Sequence, residues 1–143
     1  MAKRILAPID TRERRESILP IVAALARDAG STVRLLRVFP VPERVVGDHG
    51  RTVAYADQEM ARLTVEGLED LQRVEAEMTG VPVEAVVRFG DPVEEIVHEA
   101  EAFDADLIAL GADHQGRLRA ALAPGVADRV SFKATVPTLT LRG

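Results

Sequence analysis

The sequence predicts an α/β protein with a single doubly wound, mostly parallel five-stranded sheet and helices on both faces. Three observations lead to this prediction. Short β-rich segments alternate with segments of helical periodicity, in the order β-α-β-α-β-α-β-α-β, which is typical of a parallel sheet with right-handed crossovers. The apolar run Leu107–Leu110 suits a strand buried on both faces. A glycine turn at Gly111 then leads through a polar loop to a helix near Pro124 and Gly125.

The first part of the chain supplies two strands and the helix between them. Arg4–Ile9 is the first predicted strand, and Pro8 should lie near its end because proline cannot donate a ladder hydrogen bond. The helix has apolar residues at helical spacing: Ile18, Ile21, Val22, Leu25 and Ala29. Thr32–Phe39 is the second strand, and Arg34 and Arg37 predict that this strand is partly exposed.

A long loop and a long helix precede the third strand. Pro40–Ala54 contains two prolines and two glycines, which predicts a loop that is either mobile or a lid. The helix ends at Gly80, and the residues of its core-facing side recur every three or four positions: Met60, Leu63, Thr64, Gly67, Leu68, Leu71, Val74 and Met78. Val83–Phe89 is the third strand.

The strongest local signal is the start of the third helix. Asp91 suits the N-cap, Pro92 suits the first helical position, and Glu94 can be the reciprocal carboxylate of a capping box. The helix ends at Phe103-Asp104. Its predicted buried side consists of Val93, Ile96, Val97 and Ala100.

Two elements complete the sheet after the central strand. The helix that begins at Gly125 has four apolar residues: Val126, Ala127, Val130 and Phe132. Pro137–Leu141 is the last predicted strand. Residues 1–143 are therefore interpreted as one domain, without internal repeats or low-complexity segments.

Composition and charge argue against several classes of protein. Hydrophobic residues make up 47% of the chain and charged residues 29%, which predicts a folded globular protein. The net charge of −5 argues against nucleic-acid binding, and the absence of cysteine excludes disulfides and thiolate metal sites. No apolar run approaches the roughly 20 residues that span a bilayer, and no signal peptide is evident, so we expect a cytoplasmic protein that does not bind membranes.

Four motifs make the chain resemble the universal stress protein family over nearly its whole length. Ile5–Arg12 corresponds to the family's opening I-L-V-P-V-D-G-S, and Gly90–Ile96 corresponds to G-D-P-x-E-x-I. Ala105–Gly111 corresponds to A-D-L-I-V-M-G, and Pro137–Arg142 corresponds to the ending P-V-L-V-V-R. Each motif alone is weak, but four of them in order at the right separations are specific.

The resemblance implies a sheet of order 3-2-1-4-5, with a nucleotide crevice where the carboxyl ends of strands 1 and 4 diverge. In nucleotide-binding members, the acidic residue that matches Asp10 and the backbone at the position of Val38 contact adenosine, and the phosphates rest on G-x2-G-x9-G-[S/T]. The positions that fall in the implied crevice are Pro8, Ile9, Asp10, Val38, Gly111, His114, Gly125 and Val126. The resemblance also implies a homodimer that pairs through the C-terminal strand, Pro137–Arg142.

The phosphate-binding motif is broken in this chain. Gly111 matches its first glycine, but His114 and Pro124 occupy the second and third glycine positions, and Gly125 occupies the hydroxyl position. Pro124 has no N–H, and the ring of His114 stands where phosphate would lie. Each lost charge-assisted hydrogen bond costs about 1.5–3 kcal/mol, or about ten- to a hundredfold in affinity, so we expect no bound cofactor, or ATP or ADP only weakly.

Several residues keep two interpretations. Asp10 either contacts the ribose or base of a nucleotide or caps the loop after the first strand. Asp48 and His49 are interpreted as surface loop rather than as a metal site, because two ligands are too few. Asp113 with His114 indicates a metal or proton-transfer site only weakly. Three residues with acidic neighbours indicate a solvated face rather than an anion site: Arg12, Arg14 and Arg15.

These observations predict a non-catalytic stress-response protein that acts as a homodimer through contacts with an unknown protein partner. The alternative is an adenine-nucleotide sensor or slow hydrolase that reaches the phosphates through Arg117, Arg119 and Arg129. A redox-cofactor binder related to the electron-transfer flavoprotein fold is disfavoured, because aromatic residues make up only 3% of the chain and cysteine is absent.

Overall fold

The computed structural model describes residues 3–9, 18–42, 51–112 and 125–142. Within these ranges the chain alternates strictly between strands and helices. The elements are β1 Arg4–Pro8, α1 Leu19–Ala29, β2 Thr32–Phe39, α2 Arg51–Glu77, β3 Val83–Phe89, α3 Pro92–Phe103, β4 Leu107–Ala112, α4 Val126–Lys133 and β5 Thr138–Arg142.

The strands form one sheet in the order β3-β2-β1-β4-β5, and each neighbouring pair is parallel. The predicted fold class and the predicted strand order are therefore confirmed. β1 occupies the centre of the sheet because nearly all of its side chains are apolar and can be buried from both faces. The fully buried residues of β1 are Ile5, Leu6, Ala7 and Pro8.

The sheet buries a separate apolar layer on each face. On β2, Val33 and Leu35 pack against α1 and α2, whereas Leu36 and Val38 pack in the layer formed by α3 and α4. This division follows from the period of two along a strand, which directs successive side chains to opposite faces. The prediction of helices on both faces is confirmed.

The start of α3 has the predicted N-cap at Asp91, but among the described residues no hydrogen bond from the Asp91 N–H to Glu94 completes the capping box. The Asp91 carboxylate accepts a hydrogen bond from the backbone N–H of Glu94 at 3.1 Å, and Pro92 is the first helical residue. The carboxylate of Glu94 lies 4.0 Å from the Lys133 ammonium of α4. At its other end α3 stops at Asp104, which adopts the left-handed conformation with φ of 56°.

The helix α2 is longer than the sequence prediction. It begins at Arg51 and runs for 27 residues, so the prediction of a loop as far as Ala54 is wrong at its end, whereas residues 43–50 lie outside the described part of the chain. The discrepancy arises because the apolar periodicity begins only at Met60. The sequence before Met60 has few apolar residues at helical spacing from which a helix could be recognised.

One of the four apolar residues named for α4 lies outside the core. Val126, Ala127 and Val130 are buried, but Phe132 is 95% exposed. The reason is geometric, because two residues beyond Val130 advance the helix by about 200° and so reach its solvent side. In the described part of the chain, no helix combines the length and the apolar character that crossing a membrane requires.

Candidate functional site

The carboxyl ends of β1 and β4 separate and open a crevice at this edge of the sheet. The ladder between the two strands ends at the pair Leu6 and Ile108. β1 nevertheless continues to Pro8, and β4 continues to Ala112. Pro8 has no N–H with which to extend the ladder. Because β2 pairs with the other side of β1, the strand order reverses here, and open α/β sheets bind ligands at such a reversal.

Four of the residues predicted for the crevice lie along this edge. Pro8 and Ile9 are buried at the end of β1, and the N–H of Ile9 donates to the carbonyl of Leu36 at 2.8 Å. Gly111 is buried in β4, and Val38 lies near the end of β2 with its side chain packed in the layer of α3 and α4. The four positions therefore share the carboxyl edge of three neighbouring strands.

Gly125 and Val126 form the start of α4. Gly125 is the N-cap, with φ of 85° and ψ of −17°, and it supplies no side-chain cap. This left-handed conformation suits glycine, whereas a serine or threonine N-cap normally has extended backbone. Val126 is buried in the core at 8% exposure. The first-turn N–H groups can attract an anion, but the carboxylate of Asp128 in the same turn opposes this attraction.

The remaining predicted site residues, Asp10 and His114, lie outside the described residues. Residues 113–124, which include Asp113 and Pro124, lie outside them as well. So do the following positions that have alternative interpretations: Arg12, Arg14, Arg15, Asp48, His49, Arg117 and Arg119.

A cluster of ion pairs, which the sequence analysis does not identify, lies on the α3 side of β2 and β3. Glu99 of α3 is 3% exposed and accepts hydrogen bonds from Arg34 Nη1 at 2.7 Å and from Arg88 Nη1 at 2.8 Å. Arg34 also donates to Glu84 at 2.8 and 3.0 Å, and Arg88 donates to Glu95 at 2.9 Å. The Glu99 carboxylate thus connects α3 to two strands.

The cluster keeps both guanidinium groups charged. Burial opposes ionisation of Arg34, but hydrogen bonds to Glu99 and Glu84 outweigh it and raise the pKa of Arg34. Hydrogen bonds to Glu99 and Glu95 raise the pKa of Arg88. Because each arginine already binds two carboxylates, the cluster is suited to holding α3 on the sheet rather than to binding a further anion.

Asp106 ties the start of β4 to the start of β1. Its carboxylate accepts hydrogen bonds from the backbone N–H groups of Lys3 at 2.9 Å and Arg4 at 3.0 Å. These two hydrogen bonds, first that of Lys3 and then that of Arg4, lower the pKa of Asp106 below its ordinary value. The backbone N–H of Asp106 also donates to the carbonyl of Arg4 at 2.9 Å. The acidic residue of the Ala105–Gly111 motif therefore has a structural role in this chain.

A metal site is not evident in the described ranges. No three of their histidine and acidic residues are grouped so that they could hold a metal ion. His98 is exposed, and its Nδ1 atom lies 3.6 Å from Glu95 Oε2 at the margin of the ion-pair cluster.

Comparisons with known proteins give one consistent family. The sequence model of the universal stress protein family matches residues 1–142. Universal stress protein MJ0577 of Methanocaldococcus jannaschii is 27% identical to this chain in an alignment of 155 positions, gaps included. The alignment covers 99% of this chain and 96% of MJ0577. The solved structure of MJ0577 superposes with a TM-score of 0.78, at 28% identity, over 99% of this chain and 96% of that one.

Two further solved structures show the same fold at lower identity. The universal stress protein from Archaeoglobus fulgidus in complex with dAMP has a TM-score of 0.63 and 22% identity, with 96% of each chain covered. A universal stress protein in complex with cAMP has a TM-score of 0.63 and 15% identity, with 99% of this chain and 97% of that one covered.

Proposed function

Because the chain belongs to the universal stress protein family, we propose that it is a non-catalytic stress-response protein that acts as a homodimer. In this proposal the protein is cytoplasmic and works through contacts with a protein partner. Its crevice keeps the shape of a nucleotide site but does not hold a triphosphate tightly. No metal or redox cofactor takes part.

The observation that carries the proposal is the change at the start of α4. The family's phosphate motif ends in glycine followed by a hydroxyl residue, and these positions are Pro124 and Gly125 here. Gly125 begins α4 in a left-handed conformation and without a side-chain cap. A hydroxyl contact is therefore lost, and Pro124 removes a backbone N–H as well. Two such losses would move a micromolar triphosphate site toward millimolar affinity.

Mass spectrometry of the purified, denatured protein tests this proposal. A crevice with low affinity for nucleotide loses it during purification, so we expect a molar ratio of nucleotide to protein far below one. Stoichiometric ATP or ADP would overturn the proposal. A released nucleotide identified as a diphosphate, after purification in ATP, would in addition contradict the non-catalytic assignment.

The support for a homodimer comes from the edge of the sheet at β5. β5 pairs with β4 on one side, and no strand of the described ranges lies on its other side. The N–H of Ile108 donates to the carbonyl of Pro137, and Ile108 pairs with Thr138. In this parallel pattern the N–H of Leu139 points to β4, and those of Thr138 and Thr140 point outward. An open edge of this kind is satisfied by a second copy related by a two-fold axis.

An adenine-nucleotide sensor is the second candidate. It is favoured by the crevice between β1 and β4 and by the uncapped N–H groups at the start of α4. Thermal melting with and without millimolar Mg-ATP distinguishes the two candidates. The sensor requires a clear rise in melting temperature with nucleotide, whereas a crevice of millimolar or weaker affinity gives little or no rise, because stabilisation grows with the ratio of the ligand concentration to the dissociation constant.

A further inference from the structure

The outer edge of β3 is open, like that of β5 at the other end of the sheet. β3 pairs with β2 over all seven of its residues, and no strand of the described ranges lies on its other side. The N–H of Val33 donates to the carbonyl of Pro82, and the N–H of Gly90 donates to the carbonyl of Phe39. In this parallel pattern the even-numbered residues of β3 bond to β2. The backbone N–H and C=O groups that point outward belong to the alternate residues Val83, Ala85, Val87 and Phe89.

The charged residues of this edge are already paired, and β3 has no other protection against strand addition. Sheet edges are commonly protected by bulges, prolines or charged side chains. The register of β3 with β2 is unbroken, and β3 contains neither proline nor glycine. Glu84 accepts hydrogen bonds from Arg34 of β2, and Arg88 donates to Glu95 and Glu99 of α3. An added strand would cover these charges only in paired form, so they oppose it less than an unpaired charge would.

The side chains of β3 offer an apolar surface on both faces of the sheet. Val83, Ala85 and Val87 are partly buried against the layer of α1 and α2. Val86, on the opposite face, packs against the layer of α3 and α4. A strand added beside β3 would extend these two layers, and every second side chain of that strand would lie against the same layer. The edge therefore suits an extended segment with apolar residues at alternate positions.

We propose that the outer edge of β3 binds an extended segment of the protein partner by strand addition. A row of alternating N–H and C=O groups is satisfied by another extended backbone. A second copy of this chain is not the occupant, because the proposed homodimer already uses β5. If β3 also paired with a second copy, the two opposite edges would join copies without limit instead of closing a dimer. The inference rests on the proposed function, from which it takes the homodimer and the partner.

A capped synthetic peptide that alternates valine and threonine between terminal lysines is the probe. These residues favour extended backbone and give the peptide one apolar side. In amide NMR spectra of the labelled protein we expect saturable shifts centred on residues 83–89, with slower hydrogen exchange at the outward amides of Ala85 and Val87. The fully N-methylated peptide keeps the side chains but has no N–H to donate, and it should bind at least about tenfold more weakly.

A proline in β3 tests whether the outward backbone groups bind the peptide. Ala85→Pro removes one outward N–H and leaves the ladder intact, because the neighbouring residues Glu84 and Val86 donate to β2. We expect a folded dimer, by circular dichroism and light scattering, that binds the peptide at least about tenfold more weakly. Val87→Pro makes the same change at the next outward residue and serves as a second variant. Ala85→Val, which keeps the N–H, is the matched control and should retain the affinity.

Thr140→Pro, at the opposite edge, separates this proposal from the homodimer. It changes β5 and should leave the affinity of β3 for the peptide unchanged. Four results would overturn strand addition at β3: no saturable shifts at residues 83–89, equal binding of the N-methylated peptide, full affinity in a folded Ala85→Pro protein, or loss of peptide binding in a folded Thr140→Pro protein. Association of the wild type beyond a dimer, abolished by Ala85→Pro, would assign the edge to a further copy and overturn the proposal as well.

Discussion

Glu99 is the residue at which α3, β2 and β3 meet. Its carboxylate is almost fully buried and receives one guanidinium group from each strand, while Arg34 and Arg88 remain 22% and 29% exposed. α3 packs its apolar side on β1 and β2, and Arg88 extends the attachment of the helix to β3 at the edge of the sheet. A buried carboxylate is costly unless it is paired, and here two arginines provide the pairing.

Replacing Glu99 should therefore destabilise the protein strongly. In Glu99→Ala both arginines lose a buried partner, and we expect a loss of about 2–3 kcal/mol in the free energy of unfolding, less than for a fully buried pair because the arginines can reach water. Urea denaturation measures this loss. The control Glu75→Ala, at an exposed position of α2, should change the free energy by less than about 0.5 kcal/mol. Equal effects of the two variants would show that the cluster does not hold α3.

Asp106 should make stability depend on pH in the acid range. The pKa of Asp106 is lowered in the folded protein, so its ionised form stabilises the fold when the pH is above the ordinary pKa of 3.8. This contribution is lost as the pH falls through the pKa that Asp106 has in the folded protein. We expect Asp106→Asn to be less stable than the wild type at neutral pH and the two proteins to converge at lower pH. Urea midpoints measured across this range test the expectation, and a constant difference at every pH would contradict it.

At the scale of elements, α2 approaches the sheet closely at one glycine. A Cβ atom added to Gly67 would lie 2.9 Å from side-chain atoms of both Phe39 and Val87. The Phe39 ring cannot move away easily, because it stacks on Phe89 at a centroid distance of 5.8 Å and lies under the guanidinium of Arg37 at 4.6 Å. The glycine thus sets the distance between α2 and the sheet.

Gly67→Ala tests this interpretation. Alanine improves helix propensity by about 1 kcal/mol, but overpacking costs about 1–3 kcal/mol, so we expect a net loss of stability. The same substitution in a Phe39→Leu background should cost less, because the smaller side chain leaves room for the new methyl group. A double-mutant cycle from denaturant unfolding gives the comparison, and a stabilised Gly67→Ala protein would contradict the close contact.

The elements differ in how far the sequence could predict them. The cap at Asp91 and the buried strand Leu107–Leu110 depend on local signals, and both were predictable for that reason. The start of α2 lacks such a signal, since its first turns carry few apolar residues at helical spacing. The pairing of Arg34 with Glu99 joins residues 65 positions apart, and only the fold brings them together. The sequence contains Arg34 and Arg37 in the predicted strand, but it does not reveal that Glu99 binds Arg34.

For the whole molecule, the open edge of β5 is the feature that the proposed homodimer explains. Thr140→Pro removes an outward N–H and leaves the ladder to β4 intact, because the neighbouring residues Leu139 and Leu141 donate to β4. We expect this variant to be a folded monomer and the control Thr140→Val to remain a dimer. Light scattering after size-exclusion chromatography measures the mass, and circular dichroism confirms folding. A wild-type monomer, or a folded dimer of Thr140→Pro, would contradict pairing through β5.

The crevice is the part of the molecule for which the fold and the sequence give different indications. The strand reversal between β1 and β4 provides the usual location of a nucleotide, whereas Pro124 and Gly125 stand, in the proposed function, where the family's phosphate motif has glycine and a hydroxyl residue. A variant that restores the family motif, His114→Gly with Pro124→Gly and Gly125→Ser, should gain affinity for ATP if these contacts are what is missing. The gain expected for two restored hydrogen bonds is at least about tenfold.

Isothermal titration calorimetry of the wild-type protein with Mg-ATP is the measurement that tests the weakened crevice most directly. The loss of two charge-assisted contacts predicts a dissociation constant in the millimolar range or weaker for the wild type, with tighter binding by the restored variant. A micromolar dissociation constant for the wild-type protein would contradict the account.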